Sequence, residues 1–230
     1  MKWFRDIGPG VLIAAAFIGP GTVTLCTIAG ASFGYSLIWA IVLSTFSTIV
    51  LQEMSLRIGL VTRMNLAEVL RTSIKSIFLN RLIILLIISS IIIGNTAYEA
   101  GNITGASLGI SAIINYESIN YIPVFIGLIA FVILYQGDYK ILERSLVSLV
   151  IIMSVSFFIT AIMTKPDVTN LLNGIFKPQV NSSNLIVVLG LIGTTVVPYN
   201  IFLHSSLVSE KWNSIDKLRV ARIESFISIL

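Results

Sequence analysis

Gly19-Pro20-Gly21-Thr22 and Val197-Pro198-Tyr199-Asn200 interrupt two apolar stretches, each long enough to cross a bilayer. Proline has no N–H to close a helical turn, and its ring crowds the preceding carbonyl, so backbone groups beside it are left free. In hydrocarbon those groups need a partner, and two broken spans facing each other at mid-membrane make a binding site from them. The plainer alternative is that each proline only kinks its helix while Ser and Thr hydroxyls satisfy the backbone. Two breaks five spans apart favour the site.

The rest of the chain has the composition of a membrane protein. Of its 230 residues 56% are hydrophobic and only 11% charged, and the mean hydropathy is +0.95, far from that of soluble domains. Six apolar runs approach the roughly 20 residues a helical span requires: about 8–30, 35–61, 82–107, 119–136, 144–163 and 184–209, with a seventh run from Phe226 to Leu230. Thirteen of the 15 Lys and Arg residues fall at the N-terminus, between or at the ends of spans two and three, and after spans four and six; only Lys165 and Lys177 fall on the other side. The positive-inside rule therefore puts the N-terminus in the cytoplasm. The basic excess orients the protein and implies no nucleic acid. Lys2 and Arg5 ahead of an apolar run imitate a signal peptide, but the length of the run and the five further spans argue against cleavage. A single cysteine, Cys26, excludes an intramolecular disulfide and a cysteine metal cluster; it is expected to pack as a small apolar residue.

No linker divides the chain, so one membrane domain is expected over 1–230. Asn65 to Phe78 carries Leu66, Val69, Leu70 and Ile74 at helical spacing and reads as a short cytoplasmic amphipathic helix. The polar segment 164–183 reads as an external loop, part helical around Val168 to Leu172, and Gly30 to Gly34 as a turn between spans. Broken spans one and six are what two five-helix repeats of opposite orientation would produce. The first repeat would occupy about 8–163, and about 184–209 would open the second. Such a fold needs further C-terminal helices or a complementing chain.

Ionisable residues inside spans are expensive and mark function by default. Glu53 lies near the cytoplasmic end of span two, where Arg57 at helical spacing is its natural partner. Glu99 has no basic neighbour in its span and is the stronger proton-relay candidate. His204, one turn beyond Asn200, is either a second relay group or a hydrogen-bonded structural histidine. Asn95 and Asn102 share a side of span three and are expected to bond neighbouring helices. At the breaks Thr22, Thr24, Thr194, Thr195, Tyr199 and Asn200 offer oxygen ligands. No catalytic triad, phosphate loop or HExxH is present, so no enzyme is expected.

Ile7-Gly8-Pro9-Gly10, Ala29-Gly30-Ala31-Ser32-Phe33-Gly34-Tyr35-Ser36-Leu37-Ile38-Trp39, Leu51-Gln52-Glu53 and Arg57-Ile58-Gly59-Leu60-Val61-Thr62 together resemble the Nramp family. Gly137-Asp138-Tyr139-Lys140 with Leu142-Glu143, and Pro198-Tyr199-Asn200 with Leu203-His204-Ser205, extend the likeness over about 7–209. The resemblance implies an all-α polytopic protein, here helices 1–6 of an inverted-repeat, LeuT-like transporter fold, moving a divalent metal with proton coupling. It places the metal between the two breaks. The family's first break reads Asp-Pro-Gly-Asn, where Gly19 and Thr22 stand here in place of the two ligands. Its second reads Met-Pro-His-Asn, where Val197 replaces the thioether and Tyr199 the histidine. Thr194 aligns with an alanine whose carbonyl is a ligand. Of an acidic pair in span three Glu99 is kept and Thr96 replaces the other, while His204 matches a retained histidine.

The expected lining of the substrate site is thus Gly19, Thr22, Thr194, Val197 and Asn200, framed by Pro20, Gly21, Pro198 and Tyr199, with Glu99 and His204 relaying protons. Without a carboxylate or sulfur ligand, oxygen-seeking Mg²⁺ fits better than Mn²⁺ or Fe²⁺. No resident cofactor is expected; the partners are the lipid bilayer and the cargo. The alternatives are a small neutral or zwitterionic solute carried on the same fold, and a non-transporting, truncated membrane protein.

Overall fold

The computed structural model of the protein describes residues 13, 16, 17, 19–114, 121–136, 139–212 and 214–229. These are helical, with no strand among them: α1 (Pro20–Phe33), α2 (Ile38–Thr62), α3 (Leu66–Ser73), α4 (Ile77–Ile114), α5 (Ile122–Gln136), α6 (Tyr139–Met163), α7 (Val168–Phe176), α8 (Leu185–Thr195), α9 (Pro198–Lys211) and α10 (Leu218–Ile229), the last preceded by a 3₁₀ turn at Ile215–Lys217. The first residues of expected span one, the topogenic Lys2 and Arg5, and the Ile7-Gly8-Pro9-Gly10 and Gly137-Asp138 parts of the family likeness lie outside the described residues.

Four stretches are long and apolar enough to span: Ile38–Thr62, Ile77–Ser111, Leu146–Met163 and Leu185–Lys211, with a shorter apolar helix at Ile122–Tyr135. They correspond to expected spans two to six. Large apolar side chains such as Leu85, Ile92, Phe131, Ile152 and Phe158 are exposed on α4, α5 and α6, as lipid contact requires. Both breaks are present. Ile13, Ala16 and Phe17 are helical, Gly19 is extended (φ −124°, ψ 167°), and Pro20 starts a new helix. Likewise α8 ends at Thr195, Val197 is extended (φ −100°, ψ 118°), and Pro198 opens α9.

Several boundaries differ from the sequence reading. Gly30 belongs to α1, and the turn begins at Gly34, whose φ of 56° and N–H bond to the Gly30 carbonyl stop the helix. The amphipathic helix is shorter than expected, because Ile74 is extended and Phe78 already belongs to α4. Its start is fixed by a capping box between Asn65 and Glu68. The loop helix runs on to Phe176, capped by Asp167, and the apolar run near 226 is the end of a helix starting at Leu218. Cys26 is exposed rather than packed.

The organising element is α2, which touches α8, α9, α10, α3 and α7. One apolar cluster (Ala29, Leu37, Ala40, Val188, Leu191) ties it to α1 and α8, and another (Leu56, Leu60, Val208, Ala221) ties it to α9 and α10. Between them α2 carries a buried polar stripe, Ser44, Thr48, Gln52, Ser55 and Gly59, spaced by three or four residues. In a bilayer, where apolar surface gains nothing by leaving lipid, small and polar residues make the helix contacts.

Candidate substrate site at the paired breaks

From Thr48 onward the stripe on α2 meets the second break and the helix that follows it. Thr48 Oγ1 donates to the Thr195 carbonyl at 3.1 Å, one of the groups freed where α8 stops. Ser55 Oγ donates to the Ile201 carbonyl at 2.5 Å, and His204 Nδ1 lies 2.7 Å from Gln52 Oε1, both side chains buried. Gly59 faces the Ser205 carbonyl so closely that a Cβ would overlap it.

The first break is closed from two other helices. Helical geometry would pair the Ala16 carbonyl with the nitrogen of residue 20, which as proline has no hydrogen to give. Tyr199 of the second break reaches across instead, its hydroxyl 3.4 Å from that carbonyl. Tyr98 on α4 donates to the Phe17 carbonyl at 2.7 Å, and Thr22 Oγ1 donates to the same oxygen at 3.3 Å. The Tyr98 and Tyr199 rings stack edge to face, centroids 5.8 Å apart. The two broken spans therefore lie side by side, each break supplied with hydroxyls by the rest of the bundle.

Of the five expected lining residues, Gly19, Val197 and Asn200 are buried and Thr22 and Thr194 partly so. Asn200 is fully buried, and neither its Oδ1 nor its Nδ2 has a hydrogen-bond partner. The other such buried atoms among the described residues, Trp39 Nε1, Asn80 Oδ1 and Trp212 Nε1, lie away from the prolines in sequence; only Asn200 stands inside a break. Thr22 and Thr194 line one cavity of about 140 Å³, together with Thr45, Thr48, Thr195 and Ser228. Gly19, Val197 and Asn200 do not line it. Thr24 is exposed, being two residues or about 200° round the helix from Thr22.

Gly19 lacks a side chain where Asn102 of α4 needs the room: a Cβ there would collide with Asn102 Oδ1. The Asn102 amide in turn donates to Glu99 Oε2 at 3.2 Å within its own helix, instead of bonding a neighbour as expected. Glu99 is exposed, and among the described residues no hydrogen bond links it to His204, which is held by Gln52. Glu53 has the partner expected, Arg57 at 2.7 and 3.0 Å, and one not expected, Arg222 of α10 at 2.5 Å. Sequence reasoning missed Thr45, Thr48, Tyr98 and Ser228 as site residues. Only the polar spacing of Ser44, Thr48, Gln52 and Ser55 along an otherwise apolar helix could have signalled part of that set.

The profile of the natural resistance-associated macrophage protein-like family matches residues 10–230, nearly the whole chain. The chain belongs to the Nramp family. It is 33% identical over 211 residues to a metal transporter nramp1 homolog of Dictyostelium discoideum, covering 89% of this chain and 38% of that one. It is 30% identical over 226 residues to the divalent metal cation transporter MntH of Staphylococcus haemolyticus, covering 92% and 48%. A crystal structure of a manganese transporter mutant of Eremococcus coleocola superposes with a TM-score of 0.77 at 24% identity, over 96% of this chain and 47% of that chain. That likeness establishes the Nramp fold. This Nramp chain spans about half the length, or less, of the relatives it matches.

Proposed function

We propose that this Nramp chain forms the substrate-binding part of a secondary transporter of the cytoplasmic membrane, with its N-terminus in the cytoplasm, moving a divalent metal cation. The relatives named as metal transporters support the cargo class, and the lysine and arginine distribution supports the orientation. The observation that carries the reading is Asn200. An unpartnered buried amide costs about 1–3 kcal/mol, and a bound cation or its water accounts for retaining it at a helix break.

Asn200 would hold the cargo at the second break, with Thr22 and Thr194 in the neighbouring cavity and the buried Gly19 and Val197 at the breaks themselves. No formal charge or sulfur is among them, so Mg²⁺, kept partly hydrated, is the divalent ion that suits them best. Glu99 is the proton carrier of this reading, an acid in a span beside the first break through Asn102. His204 acts as a pin between α9 and α2. Uptake of Mg²⁺ and Mn²⁺ into proteoliposomes, with protein expressed from the complete gene, is the test: uptake is expected and should fall at least tenfold in Asn200→Leu. No metal uptake would refute the cation reading. The missing carboxylate at Gly19 favours a second reading, a small neutral or zwitterionic solute, which a thermal-shift screen of amino acids against metals separates from the first.

A further inference from the structure

We infer that the corner between α3 and α4 is a docking surface for anionic phospholipid, with Arg71, Lys75 and Arg81 gripping a headgroup phosphate of the cytoplasmic leaflet. The choice of leaflet rests on the orientation proposed above; the binding itself depends neither on that nor on the cargo.

Arg81 stands on the lipid-facing side of α4. One turn before it are Ile77 and Phe78 and one turn after it is Leu85, with exposures of 73%, 76% and 62%, so all four share one stripe. A charge on such a stripe is costly unless it reaches the headgroup layer. Helical side chains tilt toward the N-terminus of their helix, and α4 opens at Ile77, so the guanidinium of Arg81 is directed out of the hydrocarbon toward the headgroups.

Two further cations are brought to the same corner. The Asn80 amide donates to the Arg71 carbonyl at 3.1 Å, closing the end of α3 onto the start of α4, and Lys75 lies in the link between the two helices. All three cations are exposed, and among the described residues none forms a salt bridge. Between Arg57 and Glu99 the chain has one carboxylate, Glu68, which is occupied in the capping box with Asn65 toward the other end of α3. By contrast Arg57 and Arg222, on the same side of the membrane, share Glu53. At the α3–α4 corner the counter-charge has to come from outside the protein, and at the edge of the hydrocarbon that is the phosphate layer. Arginine suits it, since its planar fork gives a phosphate two parallel N–H bonds. A zwitterionic headgroup brings its own ammonium, whereas an anionic one leaves its charge for the protein to meet. The corner is also joined to the second break, because the Leu66 N–H donates to Ser205 Oγ of α9 at 2.9 Å. A headgroup bound here therefore steadies the helix that follows Pro198.

The test uses protein from the complete gene, purified in a neutral detergent and titrated with phosphatidylglycerol or phosphatidylcholine at fixed salt, with bound lipid read by native mass spectrometry and stability by melting temperature. Phosphatidylglycerol should bind about a hundredfold more tightly than phosphatidylcholine and raise the melting temperature. Arg71→Gln, Lys75→Gln and Arg81→Gln should each cut that preference about fivefold, and the triple variant should abolish it. The single variants keep the test readable if the triple variant fails to insert. Lys217→Gln with Arg219→Gln removes two cations from the same side but outside this corner, and should leave the preference unchanged. No preference for phosphatidylglycerol, or an equal loss in the Lys217 and Arg219 variant, would overturn the inference. Inorganic phosphate at matched ionic strength should not displace the lipid; displacement would mark a site for soluble anions and overturn it as well.

Discussion

Gly19 and Asn102 occupy one space between them. The carboxamide stands where a side chain on residue 19 would begin, so returning the family's aspartate to this break is a two-residue problem. Gly19→Asp alone is expected to lower the melting temperature and Gly19→Asp with Asn102→Ala to recover most of it. The double variant should gain Mn²⁺ affinity relative to the chain with Gly19, measured by titration. Gly59 is a stricter case, because the obstacle is the backbone carbonyl of Ser205 rather than the end of a side chain. Gly59→Ala should destabilise the α2–α9 contact by about 1–3 kcal/mol, read as earlier thermal unfolding in detergent. His204→Leu would strand Gln52 in a buried position at a cost of about 1–3 kcal/mol. His204→Gln, able to donate to the same oxygen, should retain both stability and transport if the histidine is a pin, and lose transport if it relays protons.

Helix α2 shows how a membrane helix can be specified without amphipathic patterning in the soluble sense. Apolar residues face both lipid and neighbours, and the inward side is marked by Ser44, Thr48, Gln52, Ser55 and Gly59. One member of that stripe, Thr48, meets a carbonyl at the second break, and Gln52, Ser55 and Gly59 meet the helix that follows it. By contrast α3 declares itself locally: Asn65 accepts from the Glu68 N–H at 2.9 Å while Glu68 accepts from the Asn65 N–H at 3.2 Å. Asn65→Ala should cost this helix about 1 kcal/mol, visible as faster amide exchange over Leu66–Ser73. Glu53 clamps α10 through Arg222, with side-chain exposures of 27% and 42%. Such half-wet pairs are worth about 1 kcal/mol or less. Glu53→Gln is thus expected to leave the melting temperature nearly unchanged but to speed exchange across Leu218–Ile229.

For the molecule as a whole, orientation is the property most directly testable from the chain's charges. In a Cys26→Ala background, Thr72→Cys should be labelled from the cytoplasmic side only and Gln179→Cys from the outside only; the reverse pattern would invert the topology. Membrane residence, the two proline breaks, the order of spans and the family were all legible in the sequence. They depend on the length of apolar runs, on proline's missing hydrogen and on motif order, which are local or additive properties. The Glu53–Arg57 pair was legible for the same reason, being one helical turn apart. Which oxygen meets which carbonyl was not, because it depends on residues brought together from distant segments: Tyr199 on Ala16, Tyr98 on Phe17, Thr48 on Thr195, Arg222 on Glu53. The sequence determined by itself that the backbone is broken twice inside a membrane, since proline cannot close a turn wherever it is placed. Only the tertiary structure decided what stands opposite each break, since a freed carbonyl takes whatever donor the packing of helices brings within reach.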